Sequence, residues 1–157
     1  MHRRSLVLCL LSALVLSSFT GLVGATSAWA VGTESVTVTT EMAEKRLLRR
    51  LNEAREENGL APLRTRAKLT AYARRHSAAM SGHRVLFHTR SFSVLCCWSS
   101  IAENVGFGAT PRAVHRALMA SAPHRANMLD HTKRAVGIGV VRSDDQIWVT
   151  QVFRQPR

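Results

Sequence analysis

Cysteine is nearly absent from the part of this chain that would fold. Of its three cysteines, Cys9 lies in an apolar N-terminal stretch, while Cys96 and Cys97 are neighbours. Neighbouring cysteines rarely pair with each other, because the ring strains the peptide between them. Disulfide stapling is therefore excluded as the fold's strategy, and so is a paired-thiol metal site, which would need further cysteines. Two fates stay open for Cys96 and Cys97 in an oxidising compartment: an intermolecular bridge or a buried free thiol. Acid is scarce as well, with ten Asp and Glu against 22 Lys and Arg and a formal net charge of +12. That balance favours anionic partners such as wall polymers, lipid headgroups or stray nucleic acid. An arginine-rich surface with no dedicated partner accounts for it equally well. The arginines are scattered between apolar stripes, which excludes a dedicated nucleic-acid module. No internal repeat is present.

The one strongly apolar run stands at the N-terminus. Met1-His2-Arg3-Arg4 precede apolar residues from Leu6 to Phe19, and small residues then lead to Ala28-Trp29-Ala30. This order predicts a cleavable signal peptide over residues 1–30 and a secreted, extracellular protein. A retained anchor is disfavoured because the run is shorter than the roughly 20 residues that cross a bilayer. A lipoprotein is excluded because Leu8 stands where a small residue would precede the acylated cysteine. Loss of Arg3 and Arg4 with the leader leaves 20 basic and 10 acidic residues, a net charge of +10. The remaining 127 residues suit one domain. A Thr/Val/Ser run from Thr33 to Thr40 reads as part of a tether over residues 31–40.

Glu41 to Asn58 carries Leu47, Leu48, Leu51 and Ala54 as a narrow helical stripe, and Asn58-Gly59 closes it. Leu69, Tyr72, Ala73, His76, Met80 and His83 recur at helical spacing along a second helix. Ile101, Glu103, Val105 and Phe107 alternate along a strand, and Thr110-Pro111 opens a third helix as N-cap and first residue. A short helix from Pro123 to Leu129 follows. Val136 to Val140 and Ile147 to Phe153 then form a hairpin around Ser143-Asp144-Asp145. Together these predict an α+β fold with a small antiparallel sheet between helical layers.

Five ordered blocks carry a resemblance to a known family. They are Leu51-Asn52-Glu53-Ala54-Arg55 with Asn58-Gly59-Leu60-Ala61-Pro62-Leu63; Leu69 and Ala73 through His76-Ser77, Met80 and His88; Ala102-Glu103-Asn104-Val105; Ser121-Ala122-Pro123-His124-Arg125-Ala126-Asn127-Met128-Leu129; and Val136-Gly137-Ile138-Gly139 with Thr150-Gln151-Val152-Phe153. Residues 41–157 thereby resemble a bacterial domain of the CAP superfamily (cysteine-rich secretory protein, antigen 5, pathogenesis-related 1). The resemblance implies an α-β-α sandwich with a three-stranded antiparallel sheet, and a cleft that in eukaryotic members holds two His and two Glu. His88 and Glu103 match the first His and first Glu. The second Glu falls at Ser121 and the second His at Trp148, so half of that set is absent. His124 matches a histidine that bacterial members carry in a Ser-Pro-Gly-His-Arg block, with Ala122-Pro123 in place of Pro-Gly. Ala102 and Leu118 are smaller departures.

Imidazole and carboxylate in one cleft can bind zinc or another divalent ion, or exchange protons near neutral pH. Both uses require His88, Glu103 and His124 to converge, and their spacing is not a recognised metal motif. For Glu103 the alternative is acceptance of hydrogen bonds from backbone amides near the next helix, and for His124 capping or packing of its helix. His76 reads as a half-buried core residue, and Asn104, one residue past Glu103, as a structural group on the opposite face of the strand. Ser121 lies one turn before His124 and suggests a nucleophile pair with no acid to orient it except Glu103. Two functions of different class follow. The favoured one is a non-catalytic extracellular binding module for lipid, sterol or anionic cell-wall polymer. The other is a metal-assisted hydrolase using the His/Glu cleft.

Overall fold

The computed structural model describes residues 30–157, with side chains from residue 40 onward. The signal-peptide reading of residues 1–30 falls almost wholly outside the described residues. Four helices and four strands follow in the order α1 (Ala30–Glu57), β1 (Arg64–Thr65), α2 (Ala67–His83), β2 (Trp98–Gly108), α3 (Pro111–Ala120), α4 (Ala122–Met128), β3 (Ala135–Ser143) and β4 (Gln146–Pro156). No helix among the described residues is long and apolar enough to cross a membrane.

Residues 31–40, expected as a tether, belong to α1. Once a helix exists, each further residue adds a hydrogen bond without a new nucleation cost, so the packed part of α1 extends into a segment of poor intrinsic propensity. The other end of α1 stops where the sequence says it should. Gly59 takes φ +69°, and the amides of Gly59 and Leu60 reach back to the carbonyls of Glu56 and Arg55, both at 2.9 Å. α3 opens as expected, with the Thr110 hydroxyl accepting from Ala113 N at 3.1 Å and Pro111 at the first helical position.

The sheet has four strands in the order β1-β3-β4-β2, not three. β2, β3 and β4 are antiparallel neighbours, but β1 runs parallel to β3, so the sheet is mixed. The extra strand forms because Arg64 N and Arg66 N donate to the carbonyls of Arg134 and Val136, each at 3.2 Å. A two-residue strand has no period to read, and so nothing in its residues signals it.

Alternation decides which layer covers each face. Val136, Ile138, Val140, Ile147, Val149 and Phe153 share one buried cluster with Leu47 and Leu51 of α1, Val114 and Leu118 of α3, and Met128 of α4. Ala135 and Val152, on the other face, pack with Leu69 and Ala73 of α2. α2 lies almost in contact with the backbone of β3. A Cβ at Gly137 would come within 2.1 Å of the Leu69 carbonyl carbon, and one at Gly139 within 2.1 Å of Arg74 N. Ser77 Oγ, fully buried on α2, completes the seat by donating to the Gly139 carbonyl at 3.0 Å and bonding Thr150 Oγ1 at 2.9 Å.

Candidate functional site

β2 is the end strand of this sheet, and its two faces carry different chemistry. Glu103 and Val105 face the α2 side, where Val105 packs on Met80 and Trp148. Asn104 faces the opposite layer and is fully buried. Its Nδ2 donates to the His124 carbonyl at 3.0 Å and to Gln151 Oε1 at 3.3 Å, while its Oδ1 accepts from Asn127 Nδ2 at 2.9 Å. Asn104 therefore ties α4 to the sheet.

Glu103 is buried and organises the α2 side. Its Oε1 accepts from His88 Nδ1 at 2.9 Å and from the Thr89 amide at 2.9 Å. The amide is in the preceding loop, not near the following helix. Bonding Nδ1 to a carboxylate fixes the proton there and leaves His88 Nε2 as the outward nitrogen of a ring that is 58% exposed. Glu103 Oε2 is buried with no hydrogen-bond partner. The Thr89 hydroxyl is itself bonded to the Tyr72 hydroxyl, which braces the loop against α2.

His76 also belongs to this cluster. It is buried, as expected for a core residue, yet its Nε2 lies 3.8 Å from Glu103 Oε1 and 2.8 Å from the Phe87 carbonyl. A carbonyl only accepts, so Nε2 carries the proton. Periodicity placed His76 on the inward face of α2 but could not show that a carboxylate from β2 would stand opposite.

His124 approaches from α4, its ring centroid 6.5 Å from that of His88 and tilted by 32°. Its Nδ1 lies 2.9 Å from Ser121 Oγ. Burial holds its pKa below the ordinary histidine value, and the nearby His88 adds to the effect. His88, Glu103, Ser121 and His124 are thus brought to one end of the molecule as a chain of neighbours, Glu103 to His88 to His124 to Ser121. They do not surround a common point. Among the described residues no group of three or more His, Cys, Asp or Glu side chains is placed to hold a metal ion. The expected zinc set of His88, Glu103 and His124 does not form a three-ligand group: Glu103 Oε1 bonds His88 Nδ1 rather than standing beside the two imidazoles as a third ligand, and His124 bonds Ser121 through its own Nδ1. A hydrolytic triad fails on the same ground, since the acid that would orient His124 is bonded to His88.

Where the eukaryotic pattern has its second His, Trp148 instead stacks on Phe107 with ring centroids 5.1 Å apart. Beside this stack lies a groove of about 450 Å³ lined by Arg84, Leu86, Phe107, Asp144 and Trp148. Val85, Leu86 and Phe87 are all exposed and lead directly into His88. A second groove of about 480 Å³, lined by Glu41, Glu44, Arg74 and Ile138, shares no residue with the histidine cluster.

The model of the cysteine-rich secretory protein family, CAP, matches residues 48–153. This chain belongs to the CAP family. The Bacillus subtilis protein YkwD, itself described as uncharacterized, is 30% identical over 120 residues, covering 69% of this chain and 46% of its own length. The CAP chain thus spans about half of that relative. Solved structures of similar fold include an extracellular protein with an SCP domain from Bacillus anthracis, at TM-score 0.70 and 17% identity over 78% of this chain and 43% of that one. Another is an outer surface protein of Borrelia burgdorferi, at TM-score 0.65 and 16% identity over 72% and 92%. The Schistosoma mansoni venom allergen-like protein 4 matches at TM-score 0.59 and 10% identity over 73% and 89%. At these identities the structures establish the shared fold of CAP domains.

Proposed function

We propose that this CAP protein is a secreted, non-catalytic binding module that captures a lipid, sterol or anionic wall polymer outside the cell. The observation that carries this reading is the way the cluster's polar groups are engaged. The Glu103 carboxylate is committed through Oε1 to His88 and the Thr89 amide and not to the Ser121–His124 pair, whereas its Oε2 remains a buried acceptor without a donor. Such an atom suits a ligand hydroxyl or ammonium, because an unmet buried acceptor costs about 1–3 kcal/mol that a donor recovers. The exposed apolar strip Val85-Leu86-Phe87 beside it, with the Phe107–Trp148 stack, favours a ligand with an apolar part over a purely polar polymer. The charge supports an anionic component: beyond Asn58 the chain has fifteen Lys and Arg against four Asp and Glu. Of those four acids, Glu103 is buried and Asp130 is paired with Lys133 at 2.9 Å.

The test is co-sedimentation of the protein with phosphatidylglycerol vesicles, phosphatidylcholine vesicles and purified wall fragments over a range of salt. Retention on phosphatidylglycerol should be strongest and should fall as salt rises, because exposed charges are screened beyond about 10 Å at 0.1 M. Leu86→Ser with Phe107→Ser should weaken retention on vesicles and spare any residual binding to wall fragments. Hydrolysis of vesicle lipid or wall polymer, abolished by His88→Ala, would overturn the non-catalytic reading.

A further inference from the structure

Cys96 and Cys97 stand apart from the histidine cluster, in the segment between α2 and β2. Neither is buried, and both are free, which removes the expectation of a buried thiol. The Cys97 thiol donates to the Cys96 sulfur at 2.8 Å. A disulfide has its sulfurs about 2.05 Å apart, so closing this pair takes a movement of roughly 0.8 Å.

The backbone brings them together. In an extended chain entering β2, adjacent side chains would point to opposite sides. Cys97 instead takes φ +69°, a left-handed conformation uncommon for any residue but glycine, and this turns its side chain toward that of Cys96. The fold holds the turn from both flanks. Leu95 is buried with Leu69, Ala73 and Val152 and its amide bonds the Phe92 carbonyl at 2.8 Å. On the far side Trp98 is paired with Pro156.

We propose that Cys96 and Cys97 form a dithiol site that closes to a disulfide within one chain by exchange with a small-molecule disulfide. The hydrogen bond to Cys96 holds the Cys97 thiol above the ordinary pKa, against the weaker opposing charges of Arg157 and Arg154. Cys96, the acceptor in that bond, is the attacking sulfur. Its thiolate attacks the disulfide RS–SR, forming a mixed disulfide and releasing one thiolate. Cys97 then gives its proton to solvent and attacks the Cys96 sulfur, which forms the Cys96–Cys97 bond and releases the second thiolate. Two thiols are oxidised by two electrons, and RS–SR is reduced to two thiols. Adjacent Cα atoms are 3.8 Å apart, closer than the roughly 4.4–6.8 Å usual across a disulfide. The ring is therefore strained and reopens with a dithiol reductant, which makes the site reversible.

Trypsin isolates the site, because Arg90 and Arg112 flank both cysteines with no Lys or Arg between them. The full chain is reduced, exposed to oxidised glutathione, blocked with iodoacetamide and digested. The 91–112 peptide should then be lighter by two hydrogens than its reduced form, carry no alkyl group, and take up two after dithiothreitol. Cys97→Ser should stop at a glutathione adduct on Cys96. The same oxidation in concentrated urea should be slower, because the left-handed turn that aligns the sulfurs is lost. Two alkyl groups after oxidation, a lasting glutathione adduct on the native pair, or a cross-link to Cys9 or to another chain would overturn the proposal. So would closure at an equal rate in urea.

Discussion

Arg55 is the largest fully buried side chain among the described residues, and replacing it by Met tests what it does there. Its Nε donates to the Ala61 carbonyl at 2.9 Å, and its Nη1 to the carbonyls of Met128 at 2.8 Å and Asp130 at 3.0 Å. One guanidinium thus fastens the end of α1 to the turn after it and to the end of α4. Burial lowers its pKa, with the charge of Asp130 opposing, and a guanidinium stays charged through such a shift. Methionine fills most of the volume, so the cavity contribution is small. Three carbonyls lose a charged donor, at about 1–3 kcal/mol for each one left unmet, and part of this is offset because the ion no longer has to be desolvated. The expected net loss is about 3–5 kcal/mol, a large share of the roughly 5–15 kcal/mol that holds a domain together. For a domain of this size that corresponds to a fall of about 10–20 °C in Tm. Arg55→Lys keeps the charge but not the fork, and should lie between the two. Denaturant and thermal melts followed by circular dichroism measure all three. A loss below about 1 kcal/mol in Arg55→Met would show that the three bonds are no better than those water offers, and would refute the reasoning.

Gly137→Ala and Gly139→Ala should each abolish or severely reduce soluble folded protein, since the new methyl would meet helix backbone at 2.1 Å. Gly82→Ala, facing open space, should be neutral or slightly stabilising, and equal yields for the three would refute the close seating of α2. For His124, burial first and His88 second depress the pKa. His88→Gln should therefore move its titration, followed by NMR, upward but still short of the unperturbed value of about 6.5. In linkage terms a lowered histidine pKa contributes stability that is fully present above about pH 6.5 and is lost as pH falls through the folded-state pKa. An unmoved titration in His88→Gln would show that the two rings do not sense each other.

Much of this architecture was legible because it repeats. The alternation of Ile101, Glu103, Val105 and Phe107 held, with Val105 inside and Phe107 stacked on Trp148, and the hairpin from Ala135 to Pro156 followed the pattern of its branched residues. The boundaries that failed lack a repeating signal. Arg64–Thr65 is too short to show a period, and residues 31–40 are helical by propagation from a packed neighbour. His88 and Glu103 were found through resemblance, since fifteen residues of separation carry no metal or acid-base signature. The sequence could not show that Glu103 is engaged by His88 and Thr89 before His124 can reach it. That depends on how a loop folds back over the end strand of a sheet.

The glycines of β3 are where local and tertiary signals oppose each other most clearly. Read as strand residues, Gly137 and Gly139 weaken the element that contains them, because glycine loses more entropy than other residues and packs no side chain. In the fold they are what lets α2 lie against β3 closely enough for Ser77 to reach both Gly139 and Thr150. The position of α2 matters to the cluster in turn. It carries His76 to within 3.8 Å of Glu103 and Tyr72 to the loop that presents His88 and Thr89. Wider spacing at Gly139 would lift His76 away from Glu103 and Tyr72 away from the Thr89 loop. The local disadvantage of two glycines is thus offset by the packing that assembles the candidate site, which is why their alternation with Val136, Ile138 and Val140 carries information about function as well as about the strand.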